Sequence, residues 1–438
     1  MSDSLGPLVL LTFCALISYW EYGKFGTIIT PFSAMAWPYT IITLMINFGG
    51  QFFGFYSVSL KSILFILLCL CAFILGAKGV EWMQMERGEG GIKISRPENV
   101  SNLLEHYRPL FVTLALVSIA AGITQFFQVI GEHGWVEIAS RDFRLEYSTG
   151  ILSHINNLSR PAFLFLFADF LLNRKKKILL FLLIIFILIL VRQTKYHIIV
   201  LLLGGLFLGY MYGQVRITFK KLLIYGLIAY FVFNLSYVIG FSVLGLSHAY
   251  SGKVQAFLFN HFFTYMFGGP IAFSRILDSV AFPFYSWQEV VAVPVNISRA
   301  VQGDPYMVDI ILNDWVDVSN ITKYYHSANV FGYFGMLWIY IGSLGTIAYT
   351  TVLGALSYLT FFYSHRKNSG IVSQLVHVFI ISFLVLSFFG FYFNMLTFWE
   401  VLFMILIFPP IYNTYLELKK KSLEKHRILL TDKLSSKG

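Results

Sequence analysis

Arg192 and Lys195 follow a long apolar run and stand three residues apart in the sequence VRQTK. A helix rising from Lys177 to Arg192 climbs about 22 Å, which brings Arg192 near the outer edge of a hydrocarbon core about 30 Å thick. A cation at that depth is costly unless it meets an anion or water. On one helix face the two side chains could bind a phosphate, Arg192 through the parallel N–H groups of its guanidinium and Lys195 as a point charge. The alternative is a solvated hairpin turn whose side chains reach the surface.

Three further arginines precede these two residues. Arg141 and Arg144 lie in IASRDFRLEYSTG, where neighbouring acidic residues offer local ion pairs as another explanation. Arg160 precedes Pro161 in NNLSRPAF, and the polar residues before it indicate a hydrated cavity; a helix that starts at Pro161 would explain them without a ligand. Together these basic side chains predict a site for an anionic headgroup, and a lipid pyrophosphate is the natural candidate.

The segment from 247 to 329 is an aromatic-rich stretch that no bilayer helix explains, and it adds more candidates. Arg299 and Lys323 join the side chains expected to bind pyrophosphate. Three aromatic residues could stack on sugar faces, although such residues also occur at most membrane interfaces: Trp315, Tyr324 and Tyr325. The stretch has no H-x-x-x-H, H-E-x-x-H or D-x-D spacing, so we expect no metal site and no cofactor.

The elements that position these residues are predicted to be membrane helices. The chain is 57% hydrophobic and only 12% charged, and apolar runs recur along its length, which favours an all-α polytopic membrane protein. Eleven spans are expected, near 5–20, 28–49, 60–77, 109–130, 151–172, 178–194, 196–213, 222–246, 330–362, 371–390 and 398–416. The run from 330 to 362 is long enough to tilt, to break at its glycines or to begin outside the bilayer.

Lysine and arginine collect in loops that eleven spans would place on one side, which is then the cytoplasm. These are the segments 78–108, 174–177, 216–221, 366–367 and 419–427. The expected organisation is eight spans in 1–246, a large external loop in 247–329, three spans in 330–416 and a basic cytoplasmic tail in 417–438. The apolar stretch 254–273 could be another crossing, but later basic segments would then face outward, so we expect it to lie in the outer interface.

Several other classes of protein are not favoured. The net charge of +10 comes mostly from loops beside spans, which is typical of membrane orientation and not of nucleic-acid binding. Cys14, Cys69 and Cys71 lie in apolar runs without paired spacing, so no disulfide framework is expected. The nucleophile elbow, the P-loop and the dinucleotide glycine motif are all absent from the sequence.

The chain resembles the Wzy-type polymerases that join oligosaccharide repeat units in bacterial O-antigen and capsular polysaccharide synthesis. The resemblance extends loosely over the whole chain. Four segments carry it: FGTIITPFSAMAW before a span, VRQTKYHIIVLLLGGL at a hairpin, TYMFGGPIAF at the start of the external loop, and SANVFGYFGMLWIYIGSLG at the return to the membrane. These are patterns of the family and not strict signatures.

The resemblance implies a metal-independent glycosyltransferase with GT-C-like architecture in the bacterial cytoplasmic membrane, its active site facing outward. Such an enzyme moves the growing glycan from one undecaprenyl pyrophosphate onto a second lipid-linked repeat unit. The family's external arginines match Arg192 best, and Arg141, Arg144 and Arg160 less closely. Glycosyl transfer benefits from a general base, for which His326, Asp317 or Asp314 could serve.

Two other functions remain open. A flippase or transporter for the same lipid-linked sugars would carry polar residues along several spans and little mass outside the membrane. An O-antigen ligase would share both the fold and the cationic external site. The sequence leaves open which sugars are joined and whether a chain-length regulator is a partner.

Overall fold

The computed structural model describes residues 2–86, 97–135, 138, 140–192, 195–243, 252–279, 286–304, 306–310, 315–320 and 327–435. These residues are mostly helical, and the α-helices are α1 (Ser2–Phe25), α2 (Pro31–Gly49), α3 (Leu60–Glu86), α4 (Val100–His133), α5 (Arg141–Tyr147), α6 (Gly150–Asn156), α7 (Ser159–Asn173), α8 (Lys176–Val191), α9 (Lys195–Met211), α10 (Phe219–Val243), α11 (Gly252–Asp278), α12 (Ala292–Gln302), α13 (Gly332–Ser364), α14 (Ile371–Val385) and α15 (Leu396–Ser435). Short 3-10 helices cover Gly50–Phe53, Trp287–Glu289 and Leu386–Phe388. Two antiparallel strands, β1 (Val316–Asp317) and β2 (Ser327–Ala328), complete the described elements.

The expected all-α membrane class is confirmed at this level. Six helical segments of the described chain are long and apolar enough to cross a membrane: Leu5–Phe25, Leu60–Glu86, Val100–His133, Gly332–Ser364, Ile371–Phe388 and Leu396–Glu424. The other five expected spans also contain helices, and among their described residues Tyr196–Met211 and Ile224–Leu235 are shorter apolar segments, so the total of eleven stays a prediction.

Contacts between loops collect at the two ends of the helical bundle. At one end, the loop after α2 pairs with the segment around β1, where the Tyr56 amide donates to the Val318 carbonyl at 3.1 Å. At the other end, Lys367 after α13 forms an ion pair with Glu98 before α4 at 3.0 Å. Helices that alternate in direction bring their ends together in this way.

The helices α3 and α13 approach each other closely at the centre of the bundle. A Cβ atom on Gly76 of α3 would overlap the backbone of Thr351, and one on Gly354 of α13 would overlap the backbone of Phe73. Small residues at a helix interface let two backbones pack at short range. Substitution of either glycine would therefore force the two helices apart.

Glycine also breaks α13. Gly342 has φ 68° and ψ −175°, a conformation that side chains with a Cβ rarely adopt, and it divides the helix into two pieces. Of the three explanations for the long run from 330 to 362, the structure therefore has a break at a glycine. The piece before Gly342 is almost entirely buried, whereas Leu344 just after it is 84% exposed.

The segment between α10 and α13 contains more than short helices. α11 is 27 residues long, and its C-terminal half is buried against α2, α3 and α13. Its N-terminal half packs aromatic rings against α10, where Tyr230 and Phe262 meet edge to face with centroids 5.1 Å apart. Helix formation here follows from apolar residues that recur on one face. Its expected position in the outer interface stays a prediction.

Candidate functional site

A break between α6 and α7 forms the base of the candidate site. Two residues separate these helices, so the run expected as one span from 151 to 172 is interrupted just before Arg160. Arg160 is only 2% exposed. Its guanidinium donates one hydrogen bond from Nη1 to the amide oxygen of Asn157 and another from Nε to Nδ1 of His197, at 3.4 Å. The cation is thus held inside the protein by neutral partners.

Arg192 reaches the same point from the end of α8. It is 6% exposed, and its Nη1 donates to the Asn157 amide oxygen at 2.8 Å, while Nη2 donates to the hydroxyl of Ser153. The ring of Tyr147 lies 6.0 Å from the guanidinium carbon, within the range of a cation–π contact. Arg160 and Arg192, which we call the arginine pair, therefore share one neutral acceptor.

A carboxylate on α15 completes the network. Asn157 Nδ2 donates to Oε2 of Glu400, and Oε1 of Glu400 lies 2.5 Å from Nδ1 of His154. The Asn157 amide thus stands between the carboxylate and the arginine pair. α6, α7, α8 and α15 all contribute to this network, so it depends on contacts between helices far apart in sequence.

The arginine pair gives the site the electrostatic character of an anion receptor. Two guanidinium groups are removed from water, and in the described residues the Nη2 atom of Arg160 is buried without a hydrogen-bond partner. A buried charge is costly unless an opposite charge and hydrogen bonds compensate it. A narrow cleft is lined by Arg160, His197, Thr397 and Phe398. An anionic group in this region would satisfy both the charge and the remaining donor.

The end of α5, which carries Tyr147, and the turn after it are fastened to α4. Gln125 of α4 donates to the carbonyls of Glu146 and Thr149 at 3.2 and 2.8 Å, and the Tyr147 hydroxyl donates to the Gly122 carbonyl at 3.2 Å. Burial raises the pKa of the Tyr147 phenol to about 12, so the ring stays neutral at physiological pH. These bonds hold the aromatic ring in place beside the arginine pair.

Of the other expected residues of this region, the structure describes the side chain of Arg144. Lys195 is the first residue of α9, and Arg141 is the first residue of α5; their side chains lie outside the described part of the structure. Arg144 is exposed, and its Nε donates to the carbonyl of Ser140 at 3.2 Å. The structure therefore joins Arg160 to Arg192 but places Arg144 on the surface.

One group of metal-type side chains lies near the end of α5. Glu132, His133 and Glu146 each offer a ligand atom, and these atoms lie within 4.8 Å of one another. His133 Nε2 and Glu146 Oε2 already bond to each other at 2.6 Å, and both glutamates are exposed. Glu146 is thus engaged by a histidine and not by the neighbouring Arg144. The expectation of metal-independent chemistry stays a prediction.

Arg299 is held within its own segment. On α12 it donates to the carbonyl of Tyr306 at 3.0 Å and to the side chain of Gln288 at 2.9 Å, and Asp304 lies 4.0 Å away. These contacts fasten the segment that follows α12. The contacts of Arg299 do not include the arginine pair.

The residues expected to act as base or to bind sugar are scattered. Asp317 is exposed on β1, opposite Ser327, and Trp315 is 64% exposed. Both lie near the loop after α2, away from the helices that build the arginine pair. Four other residues expected as base or as sugar contacts lie outside the described residues, namely His326, Asp314, Tyr324 and Tyr325. Lys323, expected to bind pyrophosphate, also lies outside them.

Sequence reasoning missed five residues of the network, namely Tyr147, Ser153, His154, His197 and Glu400. Glu400 had a detectable signal, since it is an acidic residue in the otherwise apolar stretch TFWEV at the start of the last span. An ionisable residue in a span indicates function by default. The two histidines had no such signal, because a single histidine carries no spacing information.

Comparison with known proteins gives a family but no activity. No curated protein and no solved structure matches the chain. A family profile matches residues 98–417, a range that includes the arginine pair, Asn157 and Glu400. This range is well over half of the 438 residues. The chain therefore belongs to DUF6337, a family of unknown function.

Proposed function

We propose that the protein is a polysaccharide polymerase that acts at the outer face of the bacterial cytoplasmic membrane. It transfers a growing glycan from undecaprenyl pyrophosphate onto a lipid-linked oligosaccharide repeat unit. The observation that carries the proposal is the arginine pair, two buried guanidinium groups that share the neutral amide of Asn157. A pyrophosphate supplies the negative charge that this arrangement lacks.

The chemistry of glycosyl transfer suits such a site. As the bond between the anomeric carbon and the pyrophosphate breaks, negative charge grows on the departing phosphate oxygens. Preorganised donors aimed at growing charge lower the barrier, because they act in a region of low dielectric and need no reorganisation. Two guanidinium forks can also bind phosphate oxygens in a defined orientation. The arginine pair would therefore both hold the donor and assist its departure.

A nearby apolar groove supports a lipid-linked substrate. It lies between α12 and the second piece of α13, has a cavity volume of about 370 Å³, and is lined by Val291, Val352, Leu356 and Trp399. Val352 and Leu356 are more than half exposed on a helix that is apolar enough to span the membrane. Trp399 precedes Glu400 of the polar network. A molecule with an anionic head and a long apolar chain could thus contact both regions.

The test uses surface polysaccharide from a strain that lacks this gene, complemented with wild type, Arg192→Ala or Arg144→Ala. We expect polymer with wild type and with Arg144→Ala, whose side chain is exposed, but single repeat units with Arg192→Ala. Immunoblotting of membranes establishes that all three proteins are present in equal amounts. Full-length polymer from Arg192→Ala would overturn the proposal.

The same gels distinguish the rival functions. A ligase predicts that the deletion strain accumulates lipid-linked polymer that is not joined to its final acceptor. A flippase predicts lipid-linked repeat units trapped on the cytoplasmic face and no surface glycan. Either pattern in the deletion strain would replace the polymerase with that activity.

A further inference from the structure

Glu400 is placed as a reactive group and not as a structural counter-ion. Its side chain is 18% exposed, so it is shielded from bulk water but still accessible. One carboxylate oxygen accepts from Asn157 and the other bonds His154. Because the amide of Asn157 lies between Glu400 and the arginine pair, the described contacts of the carboxylate reach the pair only through this neutral group.

This separation matters for proton chemistry. A carboxylate in direct contact with arginine is stabilised in its charged form and becomes a weaker proton acceptor. Asn157 lets Glu400 lie close to two cations without bonding to them. The Asn157 side chain thus separates the arginine pair from a carboxylate that bonds no arginine of the described chain.

His154 gives the carboxylate a connection to solvent. Its Nδ1 lies 2.5 Å from Glu400 Oε1, and its own side chain is 51% exposed. Because an ionised carboxylate only accepts hydrogen bonds, Nδ1 of His154 donates to Glu400. The carboxylate therefore stays open to solvent beside His154, while Asn157 links it to the arginine pair.

We propose that Glu400 is the general base of the reaction, a role that rests on the proposed polymerase function. The acceptor hydroxyl gives its proton to the Glu400 carboxylate as its oxygen bonds the anomeric carbon. The bond from that carbon to the pyrophosphate breaks, and its electron pair leaves with the pyrophosphate held by the arginine pair. His154 is a positioning residue that holds the carboxylate, and the proton leaves Glu400 to the water that reaches its partly exposed side chain.

The test uses full-length protein in lipid nanodiscs with purified lipid-linked repeat units. Glu400→Gln keeps the size of the side chain and can still bond Asn157 and His154, but it cannot accept a proton. We expect its turnover to fall about 10²- to 10⁴-fold. Its affinity for undecaprenyl pyrophosphate should stay within about threefold of wild type, because the arginine pair provides the phosphate contacts.

Two further variants complete the design. Glu400→Asp keeps a carboxylate and should retain more turnover than Glu400→Gln, which also decides the matter if Glu400→Gln fails to fold. Glu146→Gln changes an exposed carboxylate outside the network and should turn over as wild type does.

The outcomes separate the two proposals. Active wild type together with an equally active Glu400→Gln would overturn the base and leave the polymerase intact. Equal losses of binding and turnover in Glu400→Gln would show a structural role and overturn the base as well. Wild type that makes no polymer from lipid-linked units would overturn the polymerase, and the base with it.

Discussion

Asn157 decides how the charged side chains of the site behave. Its oxygen accepts from Arg160 and Arg192, and its nitrogen donates to Glu400. An aspartate at this position would neutralise one guanidinium and repel Glu400. The neutral amide instead leaves both cations available to an anion while it fixes their directions. Asn157 thus orients the two guanidinium groups without neutralising their charge.

Replacement of Arg160 by lysine tests whether geometry matters beyond charge. Lysine keeps the positive charge but loses the planar fork that bonds Asn157 and His197 together. We expect Arg160→Lys to bind undecaprenyl pyrophosphate at least about tenfold more weakly, a loss typical of one charge-assisted hydrogen bond. Binding in nanodiscs provides the measurement, with Arg144→Lys as the matched exposed control. Unchanged affinity would show that only net charge is recognised.

The sequence predicts Arg160 and Arg192 and a common site for them, but not the partners that hold them together. Arg160 and Arg192 are identifiable because a cation near the membrane edge needs a reason. Their common partner Asn157 lies 35 residues from Arg192, and Glu400 lies 243 residues from Asn157. Hydropathy and charge patterns describe each span by itself, so they carry no information about which helices touch.

At the scale of elements, α3 and α13 depend on glycine at their crossing. The backbones are so close that a Cβ on Gly76 or Gly354 has no space. Without a hydrophobic force between helices in lipid, such close van der Waals packing is a main source of association. The tightest crossing in the bundle therefore tolerates the least change.

Gly76→Ala should destabilise the protein by about 1–3 kcal/mol, because the new methyl group collides with the backbone near Thr351. Gly79 offers a matched control in the same helix, since no atom lies within 4 Å of its Cβ position. Gly79→Ala should be neutral or slightly stabilising. Thermal unfolding in detergent compares the two, and equal effects would contradict the close approach.

A buried ion pair joins α4 to α7. Arg108 donates from Nε and Nη2 to the two oxygens of Asp169, at 2.6 and 2.9 Å, and Asp169 is fully buried. Removal of one partner leaves the other charge uncompensated. We expect Asp169→Asn to destabilise the protein by about 3 kcal/mol.

Thermal unfolding measures this change as well, with Asp317→Asn on the exposed strand β1 as its control. If the melting temperature of Asp169→Asn is no lower than that of the control, the ion pair does not stabilise the protein.

Hydropathy predicts where helices occur but not where they break. The run from 151 to 172 reads as one apolar stretch, yet the chain turns before Arg160 because the polar side chains there bond each other. The run from 330 to 362 contains four glycines at Gly332, Gly335, Gly342 and Gly345, and only the backbone conformation shows that Gly342 is the break. Glycine permits a break without requiring one.

For the whole molecule, orientation is the property that places the arginine pair outside or inside the cell. The distribution of lysine and arginine predicts that the α6–α7 break faces outward. The loop contacts define two ends of the helical bundle, and Val318 lies at one end and Lys367 at the other. A probe that cannot cross the membrane can therefore assign each end to a side.

Trp315→Cys should react with a membrane-impermeant maleimide in intact spheroplasts, and Lys367→Cys should react only after permeabilisation. Both positions are exposed, at 64% of the residue for Trp315 and 64% of the side chain for Lys367. Cys71 is replaced by serine in both variants, because it is the exposed one of the three cysteines. The reverse pattern of labelling would invert the proposed topology.

The arginine pair also links the lifetime of the protein to its substrate. The two cations, and the Nη2 of Arg160 that has no hydrogen-bond partner in the described residues, raise the electrostatic free energy of the folded protein. A bound anion lowers it. A ligand that binds only the folded protein adds about 2.7 kcal/mol at about 100 times its Kd. Where proteases remove unfolded chains, more protein would survive while lipid-linked sugar is plentiful. For the polymerase that we propose, precursor supply would then set the number of molecules in the membrane as well as their rate.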